Sequence, residues 1–286
     1  MLKKCLKYDL RAVGRIWWIL AVVMMGAALL AGVSIRAMTQ SMESGSSDFV
    51  VFLSVFGMLG ALICFLAMAA ALTVSIIMVY WRTYTHFFTD EGYLTFTLPV
   101  KRSTLYLSKV LTAAIIETAT VVLFVLGIGL ILLIAPPAEN GQLINPAAYT
   151  VLGEAFALLW EGVGGWLIVW GLAAIPCLLM TQLYACGLVF LCLTIGSVIA
   201  KKHKLLAGIG IYFGVTTAVS FVGQLISYFL ASGILSVLGY AIAAGVTVGG
   251  ITVTAVLLIY ALLLACMGVS LHFATTHLLE KKLNLA

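Results

Sequence analysis

FVVFLSVFGMLGALICFLAMAAALTVSIIMVYW, residues 49–81, contains no charged side chain. At 1.5 Å per residue a helix of this length reaches about 50 Å, beyond the ~30 Å hydrocarbon core of a bilayer. Its polarity does not alternate, as the strands of a membrane barrel would. A helix satisfies its own backbone hydrogen bonds in lipid, so the run predicts a membrane-spanning helix that projects past the bilayer. The rest of the chain fits that reading. Of its 286 residues 64% are hydrophobic and 9% charged, and its mean hydropathy is +1.20. Soluble domains carry roughly 25% charged residues.

On the N-terminal side, a polar loop with Glu43 and Asp48 separates this run from an earlier span at about 16–35. Before that span, Leu2, Leu6, Leu10 and Val13 recur at helical spacing beside Lys3, Lys7, Arg11 and Arg15. This pattern predicts an amphipathic interfacial helix over 1–15, suited to an anionic leaflet. The apolar run after it is too long for a signal-peptide core. Trp17 and Trp18 suit an interfacial anchor.

On the C-terminal side, spans are expected near 105–135, 164–199, 205–231 and 250–273. Pro136 and Pro137 stop the first of these. The second is read as one long span kinked at Pro176, with an interfacial segment around Trp160 and Glu161 before it. Residues 232–249 are apolar but broken by Gly233, Gly239, Gly245 and Gly249, which suggests a re-entrant pair of short helices before the last span. The expected fold is therefore an all-α polytopic membrane protein, one transmembrane domain over 1–286 with six transmembrane helices. Six spans place fourteen of the fifteen Lys and Arg on one side, leaving only Arg36 opposite. Five or seven spans would spoil this segregation. By the positive-inside rule that side, with both termini, is expected to be cytoplasmic in a plasma membrane.

No pattern in the chain marks an enzyme. It has no G-x-x-x-x-G-K-[ST] phosphate loop, no H-E-x-x-H and no G-x-S-x-G. Five of its six cysteines sit in apolar runs and none forms a C-x-x-C pair, so neither metal nor disulfide use is expected. His86, His203, His272 and His277 read as polar residues near the cytoplasmic face. Glu117 stands alone deep in the third span. A charge near mid-bilayer costs on the order of 3 kcal/mol on insertion scales. It either lines a translocation path or makes a structural hydrogen bond to a Thr, Ser or Gln on a neighbouring span, such as Gln182 or Gln224.

Between the second and third spans lies a polar, aromatic-rich island, Tyr80 to Lys109, with Arg82, His86, Asp90, Glu91, Lys101, Arg102 and Lys109. Its spacing predicts a helix ending at Gly92, an extended stretch closed by Pro99, and Ser103 as N-cap of the next span. Residues 82–106 then form a stiff cytoplasmic loop. Phe87–Val100, FFTDEGYLTFTLPV, followed by Lys101-Arg102 and Leu107-Ser108-Lys109, resembles a signature of a family of ABC transporter permease subunits common in Gram-positive bacteria. The opening MLKKCLKYDLRA and the closing LLEKKLNLA resemble that family's two ends.

The resemblance implies the membrane half of an ATP-driven exporter. Two permease subunits, alike or different, would assemble with two copies of a separate ATPase that carries the ATP and Mg. The loop would be the coupling element, with Phe87, Asp90, Glu91, Gly92, Tyr93 and Pro99 at the ATPase contact. Lys201 and Lys202 would form a smaller one. Peptides, lipids and drugs are the substrate classes it suggests. Two other readings compete: a secondary transporter driven by an ion gradient, for which Glu117 is the intramembrane acid, and a membrane sensor or immunity protein for antimicrobial peptides.

Overall fold

The computed structural model describes residues 2–43, 48–89, 92, 97, 100–136, 146–200, 203–243 and 246–281. Seven helices account for nearly all of them: α1 Leu2–Glu43, α2 Asp48–Phe88, α3 Arg102–Ile134, α4 Pro146–Val163, α5 Trp166–Ile199, α6 Lys204–Ala243 and α7 Val246–Lys281. All but α4 contain a stretch long and apolar enough to cross a membrane, and the described residues include no strand. The chain is an all-α polytopic membrane protein. Large side chains such as Leu30, Ile63, Leu172 and Leu262 are more than half exposed, the surface that lipid, rather than water, covers.

The helices are longer than the hydropathy runs. Hydropathy marks only the part matched to hydrocarbon, whereas the hydrogen-bond ladder continues until Pro, Gly or a loop ends it. The separate interfacial helix expected over 1–15 is absent, because α1 runs unbroken from Leu2 to Glu43. Gly14 is the only weak helix former near the expected break, and one Gly costs about 1 kcal/mol against Ala, too little to end a long helix. Likewise α6 continues to Ala243, so the expected pair of short re-entrant helices does not form. Gly233 and Gly239 lie within its helix, and Gly245 lies outside the described residues. Pro176 also lies inside a continuous helix, α5. Ser103 is not the cap of α3: the Lys101 carbonyl accepts from the Thr104 and Leu105 amides at 2.9 and 3.2 Å, two residues earlier than expected.

The chain divides into two compact units, with the cuts falling inside α1, α2, α3 and α4. One consists of residues 10–79 and 115–159. In it small residues let α1, α2 and α3 approach closely, as membrane helices do. Ala27, Ala28 and Ala31 of α1 cluster with Met68 of α2 and Ile131 of α3. A methyl group on Gly127 would stand 2.9 Å from the Met68 side chain, and one on Gly57 would stand 2.8 Å from the Ser34 carbonyl oxygen.

The other unit consists of residues 1–9, 80–114 and 160–286. In it α5 packs against both α6 and α7. Trp170 Nε1 donates to the Gly250 carbonyl at 3.3 Å, and Cys177 Sγ to that of Leu257 at 3.1 Å. The Trp166 ring lies on Gly250, where an added Cβ would come within 2.2 Å of it. At the start of α6 the backbones nearly touch: a Cβ on Gly196 would lie 2.4 Å from the Gly208 nitrogen.

Candidate functional site

The residues that flank the predicted coupling loop are held by three kinds of anchor, all within the second unit described. The first is aromatic. At the end of α2, Phe87 is 2% exposed and Phe88 is buried beside it, their rings edge to face. About two turns earlier, the Tyr80 ring packs edge to face on Phe190 of α5, and its hydroxyl reaches Cys186 Sγ at 3.7 Å. Tyr106, at the start of α3, packs on the same Phe190 and on His272 of α7. Phe190 is therefore a common floor under both ends of the loop.

The second anchor is the Arg102 guanidinium, which donates to the Leu279 carbonyl at 2.7 Å. Leu279 lies near the C-terminal end of α7, where carbonyls lack intrahelical donors and carry partial negative charge. A cation at the first turn of α3 thereby caps the last turn of α7. The third anchor is a nearly buried ion pair, Lys109 with Asp9 of α1 at 2.5 Å, their side chains 11% and 17% exposed. Ser108 Oγ lies 3.1 Å from the other Asp9 oxygen and 2.8 Å from the Leu105 carbonyl, its single proton shared between them. Asp9 is the only acid among the basic residues of the N-terminal stretch.

Placed against the residues expected to meet an ATPase, Phe87 is interior, so its part is to fix the end of α2. Gly92 is also buried, and its amide donates to the Thr89 carbonyl at 2.8 Å, closing a turn just beyond the helix. Asp90, Glu91, Tyr93 and Pro99 lie outside the described residues, as do Lys201 and Lys202. On either side of those lysines, the Ala200 amide closes α5 on Gly196, and the His203 carbonyl opens α6 by accepting from Ala207.

Glu117 belongs to the other unit and is 6% exposed. It lies 15 residues into α3, about 22 Å from that helix's start by rise. One turn further, Thr120 is a hydrogen-bond hub joining three helices. Its hydroxyl donates to the Ile116 carbonyl at 2.8 Å and receives Trp17 Nε1 of α1 at 2.9 Å. With that proton committed, Ser75 Oγ of α2, 3.1 Å away, donates to it as well. Ser75 is fully buried and Thr120 nearly so. Gln182 and Gln224, the partners suggested for Glu117, are half-buried and exposed, and both belong to the other unit. Trp17, expected as an interfacial anchor, turns its indole N–H into this polar seam. Trp18 keeps the outward role, at 66% exposed.

The sequence reading missed the Asp9–Lys109 pair, the Arg102–Leu279 contact and the Trp17–Thr120–Ser75 hub. The lone acid at Asp9 was a signal for the first. The others join residues whose chain separation carries no periodic signal. Comparisons of the chain with family models, curated proteins and solved structures return no match.

Proposed function

We propose that this chain is the membrane-spanning permease subunit of an ATP-driven exporter of the ABC type, working with a separate ATPase. The observation that carries this reading is the anchoring of both ends of the loop between α2 and α3. Phe87 and Phe88 on one side, and Arg102, Tyr106 and Lys109 on the other, tie it to α1, α5 and α7. A push on such a loop moves helices rather than only the loop. Closure of a nucleotide-bound ATPase dimer would then tilt α2 and α3 and change access to a path through the membrane. The ATPase acts only to the extent that it contacts the two states differently. Asp90, Glu91 and Tyr93 would supply the contact.

The test is extraction of the chain from its native membranes in mild detergent, with mass spectrometry of what accompanies it. The proposal expects a soluble protein with a phosphate-loop ATPase sequence in near-equal amount. It expects the triple replacement of Asp90, Glu91 and Tyr93 by Ala to abolish that association. Recovery of the chain alone, or only with copies of itself, would overturn it. That outcome would favour the second reading, an ion-gradient-driven transporter, which rests on one observation: a glutamate buried at mid-helix beside a hydrogen-bonded seam.

A further inference from the structure

Helix α4 is the described helix that does not qualify as a span. Its 18 residues reach about 27 Å, and it carries two carboxylates and no Lys or Arg. Thr150, Glu154 and Glu161 recur four and seven residues apart, fall on one face, and are all exposed. Phe156, Trp160 and Val163 recur four and three apart on the opposite face. Phe156 is 59% exposed and Trp160 is 43% exposed, although both are large and apolar. In the sequence, Leu152 and Leu159 continue that spacing. Leu158, also exposed, sits at the edge of the acidic face.

What covers the apolar face is indicated by how α4 ends. The Gly164 amide donates to the Trp160 carbonyl at 2.7 Å, and Gly164 takes a φ of +55°, a left-handed conformation that glycine adopts without strain. Gly165 follows and α5 begins at Trp166. Two residues thus join α4 to a spanning helix whose exposed Ile168, Leu172 and Ile175 form a lipid-facing stripe.

We infer that α4 lies along the membrane surface, at the end of α5 remote from Lys204. Phe156, Trp160 and Val163 are set into the acyl boundary, and Glu154 and Glu161 remain in water. The occupant of the face is lipid. With two carboxylates and no cation, the helix suits uncharged or zwitterionic headgroups. The basic start of α1, by contrast, suits anionic ones. Helix α4 is then held by the bilayer. This inference does not depend on which energy source drives the protein.

Site-directed spin labelling of the full-length chain tests it. In a cysteine-free background reconstituted in phosphatidylcholine vesicles, single labels replace Glu154→Cys, Phe156→Cys, Trp160→Cys and Glu161→Cys. Labels at 156 and 160 are expected about 5–10 Å below the headgroup boundary, open to oxygen and closed to a water-soluble nickel chelate. Labels at 154 and 161 are expected to show the reverse, and adding anionic lipid is not expected to deepen any of the four. Equal nickel access at all four positions, or shielding of 156 and 160 from both reagents as a second copy of the chain would give, overturns the inference. If the cysteine-free chain does not reconstitute, brominated phosphatidylcholine serves with the native chain. Trp160→Phe is then expected to remove a quenchable component of the emission; removal of an unquenched one overturns the inference.

Discussion

At the scale of single residues, burial and close approach decide what each position tolerates. Glu117 is buried within packed helices, so its charge and its shape matter separately. Glu117→Gln keeps the shape and the hydrogen-bonding groups, and is expected to leave the thermal midpoint in detergent unchanged or higher. Glu117→Lys is expected to cost about 3 kcal/mol, the order of placing a cation in an apolar interior. Equal losses in the two variants would mean that the carboxylate charge itself holds the site together. Gly196 faces the Gly208 backbone, which cannot swing aside as a side chain can. Gly196→Ala is expected to destabilise by about 1–3 kcal/mol, the range for overpacking. Gly210, with open space where a Cβ would go, is the matched control, and Gly210→Ala is expected to be neutral or stabilising. The glycine spacing was visible in the sequence. Which glycines face a backbone was not, because that depends on the rotation of one helix against another.

At the scale of elements, hydropathy located every spanning helix but not its ends. The N-terminal residues read as a separate surface helix are the first turns of α1, and of the glycines read as a re-entrant break, Gly233 and Gly239 are absorbed by α6 and Gly249 by α7. In both places isolated glycines are too weak to stop a helix whose backbone has no better hydrogen-bond partner. Helix ends are instead tied by long-range contacts. Removing Lys109 alone leaves Asp9 nearly buried without its cation, so Lys109→Met is expected to cost about 3 kcal/mol. The pair Asp9→Asn with Lys109→Met is expected to recover most of that loss. A double-mutant cycle measured by thermal unfolding checks this, and additive effects would show that the pair is not coupled.

At the scale of the whole molecule, the segregation of Lys and Arg makes a prediction about sidedness. Membrane-impermeant labels at Lys3→Cys and Lys204→Cys are expected to react from the same side, and a label at Thr150→Cys from the other. Any other pattern would remove the six-span topology on which the proposed coupling loop depends. The sequence by itself determined the class of protein, the number of spans and this charge asymmetry. These follow from composition and periodicity summed over long runs, where each residue contributes independently of its distant neighbours. Only the tertiary structure decided that Phe87 is an interior anchor, that Arg102 caps α7, and that Trp17, Ser75 and Thr120 meet beside Glu117. These contacts join residues about 45 to 177 positions apart, and their partners are selected by helix rotation and register, which hydropathy does not encode.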